Sequence, residues 1–129
     1  MAGLRPESPR PSAITLHQGT QRLEVAFDDG VTVALPAELL RVYSPSAEVQ
    51  GHSPEQAVLQ VGKRGVKILG LEPVGHYALR PTFSDGHDSG LFTWDYLYHL
   101  GRNEAQLWAD YESKLAAAGA SRDPQGAVA

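Results

Sequence analysis

The sequence has no cysteine among its 129 residues. That absence excludes disulfides, thiolate zinc sites, cysteine-ligated iron-sulfur clusters and cysteine nucleophiles together, so any metal would have to be held by His, Asp or Glu. Positive charge is also scarce. Eleven Lys and Arg stand against fifteen Asp and Glu, and the formal charge of -4 gives no general attraction to nucleic acid or to anionic lipid. No apolar run approaches the roughly 20 residues of a membrane span, and the opening Met-Ala-Gly-Leu-Arg-Pro lacks the apolar stretch of a signal peptide. The expectation is a cytoplasmic protein that engages neither nucleic acid nor membrane. What is present is an ordinary globular composition, 42% hydrophobic and 20% charged, in a length that suits one domain.

Composition shifts along the chain. Pro6, Ser8, Pro9, Pro11 and Ser12 crowd the start, and the last residues are rich in Ala and Gly. Residues 1–12 and 120–129 therefore read as flexible tails around a single domain at 13–119. Within it, Ile14 and Leu16, then Leu23, Val25 and Phe27, then Val31, Val33 and Leu35 alternate with polar neighbours, the period of half-buried strands. Asp29-Gly30 between the last two runs signals a tight hairpin. A short helix follows at 37–43, with Leu39, Leu40 and Tyr43 on one face. Residues 44–56 carry two prolines and a glycine with little periodicity, and read as a long loop.

Strand character returns at 58–61, 66–71, 77–83 and 91–92, with a second Asp-Gly at Asp85-Gly86. Pro81 has no N–H to donate, which places its strand at an edge or at a bulge. Thr93 caps a helix over 94–100 that Gly101 should end, and Asn103 with Gln106 resembles the capping box of a last helix to about Ala118. Strands first and helices last predict an α+β domain: a small antiparallel β-rich unit built from hairpins, a short helix after the first hairpin, and two C-terminal helices.

The densest polar cluster is Asp85-Gly86-His87-Asp88-Ser89-Gly90, an imidazole between two carboxylates. Such a group suits metal binding or acid/base work. It equally suits a plain turn in which Asp85 accepts backbone amides and Gly86 supplies conformational freedom, the commoner outcome for this pattern. Asp85 and His87 have the spacing to share a face, whereas neighbours such as His87 and Asp88 point apart on a strand. His52 lies in the 44–56 loop, His76 at a strand start and His99 on a helix, and no pair has His-x-x-x-His spacing. Ser44 and Ser46 lack the Gly-x-Ser-x-Gly setting of a nucleophile elbow, so a hydrolase has little support. Gly62-Lys63-Arg64-Gly65 lacks the spacing of a phosphate-binding P-loop and reads as a basic turn. Trp94, Tyr96, Tyr98, Trp108 and Tyr111 concentrate aromatic area near the C-terminus, where packing is the ordinary explanation.

Two segments carry a family resemblance. One runs Leu40-Arg41-Val42-Tyr43-Ser44-Pro45-Ser46-Ala47-Glu48-Val49-Gln50-Gly51-His52. The other runs from Pro73-Val74-Gly75-His76-Tyr77 through Asp85-Gly86-His87-Asp88-Ser89-Gly90 to Trp94-Asp95-Tyr96-Leu97. Together, over about residues 13 to 101, they resemble the gamma-butyrobetaine hydroxylase N-terminal-like domain, the DUF971 family. The resemblance implies a small β-rich domain that occurs alone in bacteria, ahead of iron and 2-oxoglutarate oxygenase domains, and attached to some iron-sulfur carriers. It also implies a zinc held by a Cys-x-Cys-x-x-Cys cluster after a Leu-Arg pair, together with the histidine of the Asp-Gly-His turn. Here His87 matches that histidine, while Ser44, Ser46 and Val49 stand at the cysteine positions, so loss of the zinc is expected. The chain is too short to add an oxygenase barrel after Gly101.

Two functional expectations follow. The first is a non-catalytic interaction or regulatory module whose partner is an oxygenase, an iron-sulfur carrier or a second copy of itself, with no certain cofactor. The alternative is an iron- or zinc-binding protein that uses His87 with Asp85, Asp88 or His52.

Overall fold

Two three-stranded antiparallel sheets, each ordered as the chain runs, form the β layer of the computed structural model, which describes residues 9–51 and 57–123. The first comprises β1 (Pro11–His17), β2 (Arg22–Phe27) and β3 (Thr32–Pro36), and the second β4 (Ile68–Val74), β5 (Ala78–Phe83) and β6 (Phe92–Thr93). Between them lie α1 (Ala37–Val42) and α2 (Ala47–Gln50), and α3 (Trp94–Arg102) and α4 (Glu104–Ala118) close the chain. This is the α+β arrangement that the order of patterns predicts.

Alternation explains the first sheet. Leu23, Val25 and Phe27 on β2 and Val33 and Leu35 on β3 are buried, while Glu24 and Ala26 face outward. β2 and β3 pair with Leu23 opposite Leu35 and Val25 opposite Val33, so one face carries the core. Leu39 and Leu40 of α1, Ile68, Leu79, Phe83 and Phe92 of the second sheet, and Leu97 and Leu100 of α3 complete it. Gln21 joins the sheets: its carbonyl accepts the Ala37 amide at 2.9 Å and its Oε1 accepts the Ile68 amide at 2.8 Å.

Several local expectations give way to tertiary context. The 58–61 segment has strand residues but no ladder. The Val58 amide goes to the Val49 carbonyl at 2.7 Å and the Gln60 carbonyl accepts the Tyr111 hydroxyl at 2.6 Å, so these backbone groups find partners outside a sheet. The 44–56 loop contains α2, which Ser46 starts by accepting the Glu48 amide. Gly101 does not end α3, which runs on to Arg102. The glycine is needed because a Cβ there would lie 2.2 Å from Val33 Cγ1. Asn103 makes no side-chain cap for α4, since its amide nitrogen reaches back to the His99 carbonyl instead. Pro81 sits on the middle strand, β5, but β6 pairs only with Ala78 and Leu79, so the chain is locally an edge at the proline.

Both ends of the described chain make contacts. β1 takes in Pro11 and Ser12, and the Gly62 and Arg64 amides donate to the Ser121 and Arg122 carbonyls. Arg122 grips Glu38 through two nitrogens at 2.8 and 2.7 Å and lies over the Trp108 ring at 4.9 Å.

Candidate functional site

The polar cluster singled out from sequence is a turn between β5 and β6. The Phe83 carbonyl accepts the Gly86 amide at 3.0 Å and the Phe83 amide donates to the His87 carbonyl at 2.9 Å, with Gly86 at φ 91°, a conformation suited to glycine. Asp85 Oδ1 accepts the His87 amide at 3.2 Å, the self-bonded turn expected for this residue type.

The other carboxylate oxygen of Asp85 is held from the α1 side. Leu39 and Leu40 fix α1 in the core, which carries Arg41 to the turn. Arg41 Nε donates to Asp85 Oδ2 at 2.8 Å, and Lys63 Nζ reaches the same oxygen at 2.6 Å. Burial alone would raise the Asp85 pKa. The Lys63 hydrogen bond, the His87 amide and Arg41 outweigh it and hold the carboxyl at about 2. An oxygen already shared by two cations is poorly disposed to ligate a metal.

His87 is 8% exposed, and its ring faces the start of α2. Ser44 Oγ lies 2.8 Å from His87 Nε2 and accepts the Ser46 amide at 3.3 Å. Burial, and then the Arg41 charge, lower the His87 pKa against the opposing pull of Glu48 and Asp85, which favours the neutral ring. A neutral ring that accepts the Ser44 hydroxyl at Nε2 carries its hydrogen on Nδ1, which lies 3.7 Å from Glu48 Oε1. That same carboxylate oxygen accepts the Ser89 hydroxyl at 2.7 Å, and Ser89 in turn stands 2.6 Å from Ser46 Oγ. Ser44, His87, Glu48, Ser89 and Ser46 thus form a ring, hydrogen-bonded except at the 3.7 Å approach of His87 to Glu48, that ties α2 to the β5–β6 turn.

The ring occupies the place where the resemblance puts zinc. Ser44 meets His87 as a cysteine position should, Ser46 adjoins it through Ser44, and Val49, 4% exposed, is buried close by in sequence. The donor set does not fit the ion. It offers one imidazole whose Nε2 is engaged by a hydroxyl, two neutral serines and a valine, where zinc needs four competent ligands. Among the described residues no group of three or more His, Cys, Asp and Glu side chains is placed to hold a metal ion. Asp88 is exposed and makes no ion pair among them, and His52 lies outside them.

The Ser44 hydroxyl at the inner end of the ring is closed to reagents. Ser44 is 0% exposed, and a Cβ on Gly90 would stand 2.3 Å from its Oγ, so the Gly90 backbone lies directly over the hydroxyl. Serine, imidazole and carboxylate are in hydrolase-like sequence here, but the hydroxyl has no path to a substrate.

No local pattern relates Ser44 to His87, 43 residues apart, and only the family resemblance placed them at one site. Sequence reasoning missed Glu48 and Ser89, having read residues 44–56 as a loop without the helix that Ser46 starts. The basic turn is spent internally, with Lys63 on Asp85 and Arg64 on Asp123. His17 pairs with Glu24 at 2.9 Å, the His76 carbonyl accepts Trp94 Nε1 at 2.8 Å, and His99 adjoins Asn103, so none of them joins the site.

No helix among the described residues is long and apolar enough to cross a membrane. Residues 14–98 match the family described as gamma-butyrobetaine hydroxylase-like, N-terminal. No functionally curated protein matches the chain. Among solved structures, a protein determined by NMR in solution is 56% identical with a TM-score of 0.78, covering 93% of this chain and 94% of its own. A second NMR structure is 43% identical with a TM-score of 0.80, covering 100% and 96%. A crystal structure of a DUF971-family protein of unknown function from Acidithiobacillus ferrooxidans is 38% identical with a TM-score of 0.60, covering 71% and 92%. With a match across most of the folded chain and a DUF971 structure sharing its fold, this protein belongs to the gamma-butyrobetaine hydroxylase-like N-terminal family.

Proposed function

We propose that the protein is a non-catalytic interaction or regulatory module of the cytoplasm. One observation supports this above the others: the groups best suited to chemistry, the Ser44 hydroxyl and the His87 imidazole, are buried and bonded to each other. Their role in this reading is to hold α2 against the β5–β6 turn and so fix the shape of the surface around it. The partner is a protein, with an oxygenase, an iron-sulfur carrier and a second copy of the chain as the candidates that the family suggests. The acidic balance of the chain argues for protein over nucleic acid.

The test is affinity capture from native lysate with the full chain, its L91E variant and its R22E variant as a control on the first sheet. A partner retained by wild type and R22E and lost by L91E is the expected result. Failure to recover any reproducible partner with wild type overturns the reading.

A further inference from the structure

Beside the ring is an open concavity of about 560 Å³, whose lining includes Pro45, Ala47, Gln50, Ser89, Leu91 and Tyr96. Its apolar part comes from Pro45, Leu91 and the Tyr96 ring. Tyr96 is fixed by its own hydroxyl, which donates to the Tyr43 carbonyl at 2.5 Å. Ser46 caps α2 and the ring ties α2 to the turn, so two walls of the groove are set before anything binds.

Among the described residues, the charge bonded to the lining is acidic. Ser89 leads by its hydrogen bond directly to the Glu48 carboxylate, whose side chain is 62% exposed, and no Lys or Arg among the described residues forms an ion pair with it. Asp88, next to Ser89, is exposed and also without an ion pair among them. The cations that reach the β5–β6 turn are committed elsewhere, Arg41 and Lys63 both to Asp85. An apolar groove with the exposed Glu48 carboxylate bonded to its lining, and a second carboxylate, Asp88, one residue along the chain from Ser89, complements an apolar side chain flanked by cations.

We propose that this groove docks a segment of a partner protein that presents an apolar side chain beside Lys or Arg. The proposal rests on the interaction-module reading and names the chemistry of its partner. The carboxylates supply selectivity and the apolar part supplies most of the contact.

The test is an NMR titration of the full-length ¹⁵N-labelled chain with two capped peptides, acetyl-Ala-Lys-Trp-Lys-Ala-amide and acetyl-Ala-Glu-Trp-Glu-Ala-amide. The lysine peptide should shift the Ala47, Gln50, Ser89 and Leu91 amides saturably and bind at least about fivefold more tightly than the glutamate peptide, the effect of roughly one exposed ion pair. The E48Q/D88N variant keeps an acceptor for Ser89 and should bring the two peptides together. Equal binding of both peptides to wild type, shifts confined to other surfaces, or no shift at millimolar peptide overturns the proposal. Shifts of the same amides on raising protein concentration without peptide give the groove to a second copy, and overturn it too. If L91E abolishes partner capture while neither peptide binds, the basic-apolar occupant fails and the interaction-module reading stands.

Discussion

At the scale of single residues, His87 decides most of the chemistry. Its buried Nε2 has the Ser44 hydroxyl as its hydrogen-bond partner. S44A leaves that nitrogen unpaired, at an expected cost of about 1–3 kcal/mol measured by denaturant unfolding. The titration of the ring gives a second expectation with a definite sign. The folded His87 pKa is lowered, so its stabilising contribution is complete above the unfolded value near 6.5 and is lost as pH falls through that value toward the folded one. Asp85, held at about 2, contributes fully above 3.8 and loses its contribution as pH falls from there toward 2. Wild-type melting temperature should therefore decline first below about pH 6.5, and H87Q should lack that first decline while keeping the acid limb. An unchanged profile in H87Q would remove the imidazole from the account. The turn itself was legible from Asp85-Gly86 and the nearness of Ser44 to His87 only through the family resemblance, while Glu48 and Ser89 were not legible, because no local pattern relates Ser44 to His87 or Ser46 to Ser89.

At the scale of elements, strand assignment followed wherever a buried face imposed period two, as on β2 and β3. It failed where the same residue types lacked a partner strand, as at 58–61. The Gly101 position shows the limit of local signals more sharply. Glycine near a helix end suggests a stop, but here it admits the Val33 side chain against α3, so a tertiary contact determines the residue. G101A should cost about 1–3 kcal/mol, since Val33 is branched, buried and anchored in β3. G65A is the control: its Cβ would meet nothing within 4 Å, and its stability should stay within about 0.5 kcal/mol of wild type. Equal effects from the two substitutions, compared by denaturant midpoint at constant m-value, would show that glycine entropy and not the Val33 contact governs the site.

At the scale of the whole molecule, the absence of cysteine places the burden of stability on the shared core. Side chains of both sheets, α1 and α3 meet in one buried cluster, and the ring adds a polar tie between α2 and the second sheet. A metal bound at 100 times its Kd would stabilise the fold by about 2.7 kcal/mol, and each kcal/mol is worth about 4–8 °C in a domain of 60–100 residues, somewhat less in a longer one. Such a contribution is large enough to see by calorimetry. The serine-histidine ring requires no ion, so the full-length chain should unfold in one transition whose midpoint is the same, within about a degree, after dialysis against EDTA and after addition of excess zinc. A drop of several degrees on chelation, restored by zinc or iron, would mean that a metal reinforces this fold through donors other than the ring.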